Sequence, residues 1–455
     1  MGVANSGNGN PEHGEIESIT PRNGSNAVRR DLQRRHINMI AIAGMIGTGL
    51  FLASGQAIAT AGPVGALFGY IVMGLITWGI ALMTAEISAF MPVTGGFVRH
   101  ATKFVQPALG AATGWNFWYT MAITAPAELS AAATCINFWD TSTNQAVWFS
   151  VFIVCIMALN FAPVKAYGES EVFFAALKIL LIIGLILAGI IVDLGGAAGQ
   201  ERIGFRYWKS PGPFNAYLVS GNTGKFLGFW STLISAAYSY ANVQVVAIAG
   251  AETQNPRKII PNALRMTFFR VLIFYVISIF VVGLLIPYND ENLGISTGTA
   301  EQSPFVIAFQ RAGIKVLPSI INAIHIRVLV EIVSGFVQKV GVLLIRATGL
   351  PYKSPLQPYS AWVTLGVLFL VILFSGFSVF FPGNWSVSSF LTYYIDIAIF
   401  IFLWAVSWLF FKAKPVSLRD MDLSEIYVIE QESEEEKQLA ARNPETLSWW
   451  RRWVI

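Results

Sequence analysis

Apolar runs of about 20 residues recur along most of this chain, and each is long enough to cross a lipid bilayer as a helix. They predict spans at about 37–60, 66–90, 108–136, 147–162, 171–193, 226–250, 268–287, 359–381 and 388–411. Helices are expected because backbone polar groups inside a bilayer must be satisfied within the spanning segment. The pattern therefore predicts an all-α polytopic membrane protein.

The composition favours a membrane protein over a soluble one. Of the 455 residues, 55% are hydrophobic and only 12% are charged, whereas soluble domains carry about 25% charged residues. Residues 1–36 are polar and end in a cluster of arginines, which is typical of a disordered cytosolic tail. We therefore divide the chain into that tail, a transmembrane domain at 37–411 and a second cytosolic tail at 412–455.

Basic loops are retained on the cytosolic side of a membrane, and this rule orients the spans. The loops after spans two, four and six are basic, and Lys412 and Lys414 follow the last span directly. The loop at 194–225 is also basic and argues against this arrangement. Because the other loops agree, both termini are expected to be cytosolic.

Two spans carry groups that weaken a membrane helix. Span one contains Gly44, Gly47 and Gly49, and each glycine costs about 1 kcal/mol relative to alanine. Span six carries hydroxyls and amides from Ser235 to Gln244, which are costly in a bilayer unless they face a cavity. The glycines taken alone are equally compatible with close helix packing. Matched breaks five spans apart instead favour an inverted-repeat transporter with a site near the middle of the membrane.

Broken helices at such a site suit a zwitterionic substrate. The N-terminus of a half-helix presents free N–H groups and the positive end of the helix dipole to a carboxylate. Free carbonyls at the C-terminus of a half-helix accept hydrogen bonds from an ammonium group. Since an α-amino acid carries both charges on one carbon, the pattern predicts an amino acid site.

Three long motifs resemble those of the fungal amino acid permeases, the yeast amino acid transporter branch of the amino acid–polyamine–organocation superfamily. They are RRHINMIAIAGMIGTGLFL at 34–52, GWNFWYTMAITAPAELSAA at 114–132 and AETQNPRKIIPNALR at 251–265. The resemblance covers about residues 30–322 and 350–425. It implies a proton-coupled amino acid symporter of a fungal plasma membrane, built on a five-plus-five inverted repeat.

The resemblance also implies a binding site, in which the first helix binds the substrate carboxylate and carbonyls of the sixth bind the α-amino group. The matching residues are Ile46, Gly47, Thr48 and Gly49 in the first helix, and Tyr238, Ser239 and Ala241 in the sixth. Tyr238 stands where many relatives place an aromatic gate, although helical tyrosines commonly only pack. Relatives commonly have glycine and glutamate where this chain has Asn242 and Gln244. Because an amide does not take up a proton as a carboxylate does, coupling through that glutamate is in doubt here.

Two ionisable residues lie deep in predicted spans. Glu128, after Pro126, is predicted to carry a proton or to contact the substrate amine; the alternative is a structural bond to a carbonyl that the proline frees. For Lys178 in span five, resemblance to proton-coupled members implies that its ammonium replaces a sodium ion between spans one and eight and carries the coupling. The alternative is a lysine that snorkels past Glu171 to the cytosol.

The second half of the chain departs from the family pattern. After residue 323, about 30 residues replace roughly three spans, and the pattern resumes near Leu350. His325, Arg327, Glu331 and Lys339 make 316–346 a poor span, because each central charge costs about 2.5–3.5 kcal/mol. If this segment does span the membrane, the total is about ten helices. The second repeat is incomplete in either case.

These features predict a secondary active transporter that takes up amino acids, with proton symport implied by the resemblance. The sequence shows no Ser/His/Asp set, metal-ligand cluster or phosphate-binding loop, so neither an enzyme nor a cofactor or metal is expected. The expected partners are the amino acid, protons and the lipid bilayer, with no nucleic acid. The alternative is a non-transporting amino acid receptor or an inactive remnant that keeps spans one and six.

Overall fold

The computed structural model describes the chain at 38–39, 42, 49–92, 95–136, 139–140, 142–160, 164–197, 201–241, 243, 246, 256–293, 303–314, 319, 321, 359–412 and 414–417. Every regular element within these residues is helical, as the apolar pattern predicts. A π-helical turn, Gly49–Ala53, is followed by the α-helices α1 (Ser54–Phe90), α2 (Gly96–Phe104), α3 (Pro107–Ile136), α4 (Gln145–Asn160), α5 (Val164–Asp193), α6 (Arg206–Lys209), α7 (Gly221–Ser239), α8 (Pro256–Leu285), α9 (Pro304–Arg311), α10 (Tyr359–Leu373) and α11 (Val387–Phe411). Short 3₁₀ turns lie at Glu291–Leu293 and Phe377–Phe380.

Helix α1 joins two predicted spans through a sharp kink. At Gly62 the backbone adopts φ 78° and ψ 169°, and Pro63 follows. Only glycine adopts this conformation at little cost, and proline contributes no N–H to the helix. A Cβ at Gly62 would also lie 2.7 Å from the backbone nitrogen of Asn215. The kink therefore marks the end of the first predicted span and the start of the second.

The core is formed mainly by α1, α7 and α8. Small residues let these backbones approach closely, as is usual between membrane helices. A Cβ at Gly69 would lie 2.9 Å from Cβ of Thr232 in α7, and one at Gly74 would lie 3.0 Å from the hydroxyl oxygen of Tyr240. Phe268 in α8 is fully buried at this junction.

The loop between α5 and α7 covers the kinked end of α1. The backbone N–H of Asn215 donates to the carbonyl of Ala61 at 3.0 Å, and its side-chain amide donates to the carbonyl of Ala59 at 2.7 Å. Trp208 in α6 donates its indole N–H to the carbonyl of Gly283 in α8 at 2.9 Å. These donors satisfy carbonyls that a kink or a helix end leaves open. The loop thereby joins α1 to α8.

A second group of contacts links α2, α3, α11 and the segment that follows α11. Helix α11 packs along α3, and Trp404 donates its indole N–H to the side-chain oxygen of Gln106 at 3.3 Å. The backbone N–H of Val416 donates to the carbonyl of Val105 at 2.8 Å. The segment at 414–417 is therefore attached to the connection between α2 and α3.

Three described helical stretches are long and apolar enough to cross a membrane, namely Ser54–Phe90, Val172–Asp193 and Val387–Phe411. The shorter apolar helices are Gln145–Ala158, Val271–Leu285 and Tyr359–Leu373. All six coincide with predicted spans, so the chain is described below as a multi-pass membrane protein.

Some boundaries differ from the predicted ones. Helices α5 and α8 begin at Val164 and Pro256, before the predicted starts at 171 and 268. Their first turns contain basic residues, Lys165 in α5 and Arg257 and Lys258 in α8, so apolarity alone does not detect them. Proline is well suited to the first position of α8. Helix α7 ends at Ser239, within the stretch where span six was predicted to be interrupted, and α10 ends at Leu373 instead of near 381.

Several predicted features lie outside the described residues. They include the tail at 1–36, residues 418–455 and most of the atypical segment at 316–346, of which only Ser319 and Ile321 are described. The binding-site residues Ile46, Gly47 and Thr48 lie outside as well. The domain boundaries and the number of spans therefore stay predictions.

Candidate functional site

The two helices predicted to be broken meet at Gly49 and Ser239. Gly49 begins the π-helical turn, and Ser239 is the last residue of α7. A Cβ built at Gly49 would lie 2.9 Å from both the backbone nitrogen and the hydroxyl oxygen of Ser239, and closer still to its Cα. Glycine is the residue that permits such a close approach of two backbones. The structure thus brings together one residue from each predicted half of the site.

The backbone is irregular on both sides of this contact. The turn Gly49–Ala53 is π-helical. This conformation is rare in proteins as a whole, but where it occurs it is often at a functional site. Helix α7 ends in a turn in which the N–H of Tyr240 donates to the carbonyl of Ala236 at 3.0 Å. Irregular backbone inside a membrane is tolerated where it is buried in protein or lines a cavity. The described residues therefore place a π-helical turn beside the end of α7.

Ser239 is held by hydrogen bonds from two other helices. Its hydroxyl donates to the carbonyl of Ser235 at 3.0 Å and lies 2.9 Å from the hydroxyl of Tyr70 in α1. A serine hydroxyl has one proton, so Tyr70 is the donor in the second bond. Tyr275 in α8 donates its hydroxyl to the carbonyl of Ser239 at 3.0 Å. The end of α7 is therefore fixed through both a side chain and a backbone atom.

Sequence analysis did not identify the three tyrosines around this point, Tyr70, Tyr240 and Tyr275. Their rings are buried, and the ring centroid of Tyr240 lies 6.1 Å from that of Tyr70 and 4.9 Å from that of Tyr275. They could have been singled out from the sequence as tyrosines inside apolar spans, because a buried tyrosine hydroxyl usually needs a hydrogen-bond partner. That Tyr70 and Tyr275 share one partner follows only from the packing of α1 and α8 on α7.

Tyr238 and Ala241 lie beside the contact of Gly49 with Ser239. Tyr238 is 55% exposed and Ser239 only 3%, because successive helical residues are rotated by roughly 100°. Ala241 is exposed too, and its N–H donates to the carbonyl of Tyr238 at 3.3 Å. The side chain of Tyr238 therefore points away from Gly49, while its carbonyl stays at the end of α7.

Glu128 is buried within α3, with 5% of its surface exposed. The helix continues through Pro126, and neighbours such as Ile123 are more than half exposed, so Glu128 lies on the protein-facing side. Among the described elements, α3 packs mainly against α2, α4 and α11. Glu128 therefore lies in the part of the described structure that α3 forms with α2, α4 and α11.

Lys178 is one of the most completely buried large side chains, with 1% of its surface exposed. A snorkelling lysine keeps its ammonium in water, and this burial is the opposite arrangement. Helix α5 packs against α8 and α9, and Phe305 of α9 contacts Phe51 in the π-helical turn, with ring centroids 6.1 Å apart. Lys178 thus lies in a helix that reaches the first break through α9.

The acid, thiol and imidazole groups of the described residues do not form a metal site. Within the parts of the chain that the structure describes, no group of three or more His, Cys, Asp and Glu side chains could hold a metal ion. Cys135 is buried and Cys155 exposed, and both are free thiols. The chemistry of the site therefore rests on backbone groups, hydroxyls and the two buried ionisable side chains.

Comparison with known proteins gives a family match over most of the chain. The family model described as "Amino acid permease" matches residues 36–339. A proline-specific permease of Emericella nidulans is 34% identical, with 88% of this chain and 88% of that protein covered. The dicarboxylic amino acid permease of Saccharomyces cerevisiae is 31% identical, with 93% of this chain and 85% of that protein covered. The lysine-specific permease of the same yeast is 41% identical over 68% of this chain and 50% of that protein.

The alignments also bear on the second half of the chain. The match to the proline-specific permease extends over 487 positions, more than the 455 residues of this chain. That relative therefore has residues without a counterpart here, and the place predicted for them is after residue 323.

Proposed function

The chain belongs to the amino acid permease family, and on that premise we propose that it takes up amino acids across the plasma membrane by proton symport. Members of this family are transporters and not enzymes. The observation that supports the proposal most directly is the close approach of Gly49 to Ser239, where two interrupted helices meet. We further propose the five-plus-five inverted repeat as its architecture, with an incomplete second half.

In this proposal the substrate is bound through its α-carbon substituents. The carboxylate is bound by N–H groups of the first helix break, contributed by Ile46, Gly47, Thr48 and Gly49. The ammonium is bound by carbonyls at the end of α7, contributed by Tyr238, Ser239 and Ala241. The dipoles of the two half-helices favour this arrangement, because each presents the charge opposite to that of the group it binds.

The substrate class is proposed as α-amino acids, without a preference for one side chain. The relatives are named as permeases of proline, of lysine and of dicarboxylic amino acids. Those substrates differ in side-chain charge and share the carboxylate and the amino group. A site built from backbone groups recognises that shared part.

Glu128 and Lys178 are proposed as the ionisable partners of transport. Both are buried in helices of a membrane protein, where charges are costly and are commonly functional. Glu128 is assigned proton transfer or contact with the substrate amine. Lys178 is assigned the coupling, as a cation that loses and regains a proton in each cycle in place of a sodium ion.

The orientation proposed is that of a plasma-membrane protein with both termini in the cytosol. Two sets of loop contacts support an alternating arrangement of the spans. The loop with Trp208 and Asn215 joins the kinked end of α1 to the end of α8. The segment at 414–417 joins instead the connection between α2 and α3, which follows the opposite end of α1.

The direct test of the function measures uptake and equilibrium binding of radiolabelled amino acids in a permease-deficient fungal host. Accumulation against a gradient, abolished by a protonophore and unaffected by removal of sodium, is expected. Saturable binding without uptake would instead identify a non-transporting receptor or an inactive remnant. This is the alternative function that the incomplete second half of the chain suggests. Protease protection of the C-terminal tail in right-side-out vesicles tests the orientation.

Lys178 variants test the coupling separately from binding. Lys178→Ala should lose pH-dependent accumulation of the amino acid. Lys178→Arg should also fail to accumulate it, because a guanidinium does not release its proton and the transport cycle stays locked in one state. Lys225→Ala is the matched control, because Lys225 is exposed at the start of α7. Proton-driven accumulation at the wild-type level in Lys178→Ala would remove the proposed role.

A further inference from the structure

The end of α7 is where the proposed ammonium site depends most on precise backbone placement. Ser239 is the last residue of α7, so its carbonyl is one of those that a helix end leaves without a partner inside the helix. Its backbone also lies against Gly49, so a shift of Ser239 displaces the first helix break. The groups that fix Ser239 therefore control the relative placement of both halves of the site.

Two tyrosine hydroxyls, from α1 and α8, supply that fixation. The hydroxyl of Tyr275 donates to the Ser239 carbonyl at 3.0 Å, and the hydroxyl of Tyr70 donates to the Ser239 side chain at 2.9 Å. Because a carbonyl oxygen can accept two hydrogen bonds, the bond from Tyr275 is compatible with a second bond from a ligand. Both phenol rings are buried, which keeps water from competing for these bonds.

We propose that Tyr70 and Tyr275 are positioning residues for amino acid recognition, acting through Ser239 to hold the end of α7 against Gly49. The proposal rests on the amino acid transport proposed above. Their rings pack with Tyr240 in the core, while their hydroxyls orient Ser239. The ring and the hydroxyl thus have separable roles, because a phenylalanine keeps the first and lacks the second.

Tyr275→Phe and Tyr70→Phe test the proposal, and the chain offers a matched control. Tyr394 in α11 also donates its hydroxyl to a backbone carbonyl, that of Leu373 at 3.2 Å, and it lies on an exposed helix. Transport assays in the fungal host should give a KM for the amino acid that rises roughly fivefold in Tyr275→Phe, the effect of one lost hydrogen bond. The maximal rate per molecule at the surface should be nearly unchanged, and Tyr394→Phe should match the wild type.

A double-mutant cycle separates positioning through Ser239 from a general loss of packing. If Tyr70 acts through the Ser239 hydroxyl, then Tyr70→Phe, Ser239→Ala and the double variant should raise KM by the same factor. Additive effects would overturn the role of Tyr70. An unchanged KM with a lowered melting temperature in Tyr275→Phe would show that its hydroxyl is merely structural.

Hydrogen exchange of the purified protein provides a readout independent of transport. Amides at 239–241 should exchange several-fold faster in Tyr275→Phe than in the wild type, and Tyr394→Phe should leave them unchanged. Unchanged exchange there would overturn the positioning of Ser239 even in an active transporter. A wild-type chain that neither binds nor carries any amino acid would overturn the proposed function instead, while the exchange rates still decide whether these hydroxyls fix Ser239.

Discussion

Helices α1 and α11 are both long and apolar, yet the protein uses them in opposite ways. More than half of α1 is buried, and it forms the centre of the core with α7 and α8. Helix α11 has no buried residue along its described length, and large side chains such as Phe410, which is 85% exposed, cover its surface. The apolarity of a segment therefore predicts that it spans the membrane, without telling whether it faces protein or lipid.

The difference lies in small residues. Lipid tails are as apolar as leucine, so helices associate in a membrane mainly where small side chains let backbones come close. Helix α1 has Gly69, Gly74 and Gly79, each with a side chain of another helix inside the distance at which a Cβ would clash. Helix α11 is built instead from aromatic and branched residues, which suit contact with lipid.

The largest effect on substrate binding is expected when a closely packed glycine, compared with a glycine in open space, is replaced by leucine. Gly49→Leu should abolish binding and uptake, because its Cβ would lie within 2.9 Å of Ser239 atoms, most of them backbone. Gly366→Leu in α10 is the control, since a Cβ there would meet nothing within 4 Å. Radiolabelled binding to correctly localised protein is the measurement. Wild-type affinity in Gly49→Leu would show that this close approach is not needed for the site.

Replacing one phenylalanine in the core and one in α11 tests whether the two regions contribute differently to the free energy of unfolding. Phe268→Ala in the core should lower the free energy of unfolding by about 3–5 kcal/mol, through lost burial and the cavity left behind. Phe410→Ala in α11 should change it by less than about 0.5 kcal/mol. Denaturation in detergent or lipid discs measures both. Equal losses would mean that α11 is covered by protein in the folded state.

The pH dependence of stability is expected to depend on His100 in α2, the helix that follows α1. It donates an Nε2–H bond to the carbonyl of Met91 at 2.9 Å, and burial lowers its pKa to about 4, helped by the nearby Arg99. The unfolded chain takes up this proton near pH 6.5, so the stabilisation is present above that pH and lost as the pH falls toward 4. The stability should drop by about 2 kcal/mol from pH 7 to pH 5.

The comparison for this pH effect is His100→Gln, which removes the titrating group. Melting temperatures across the same pH range should fall less steeply in this variant than in the wild type. Parallel curves would assign the acid sensitivity to other groups.

The smallest effect is expected at the segment that follows α11. Val416→Pro removes the N–H that donates to Val105 and should cost about 1 kcal/mol locally. Trypsin should then cut faster after Lys412 in solubilised protein, because Lys414 is followed by Pro415 and a Lys–Pro bond resists trypsin. Val416→Ala retains the N–H and should be cut at the wild-type rate, and equal rates in both variants would contradict an anchoring role for this bond.

The sequence by itself determined the class of the protein and predicted the two positions at which its helices break. Long apolar runs predicted spanning helices, because a bilayer leaves the backbone few other options. The glycines of the first span and the hydroxyls of the sixth predicted interruptions, and the structure has Gly49 in a π-helical turn and Ser239 at the end of α7. Both signals are local, so they can be read without knowing the fold.

Only the tertiary structure decided which groups meet at those breaks. Tyr70 and Tyr275 lie 169 and 36 residues from Ser239 along the chain, and no spacing rule joins them. The burial of Lys178, in place of the alternative of snorkelling, also depends on helices packed around α5. The physical reason is that a hydrogen bond or a buried charge depends on distances in space, and helix packing sets those distances between residues remote in sequence.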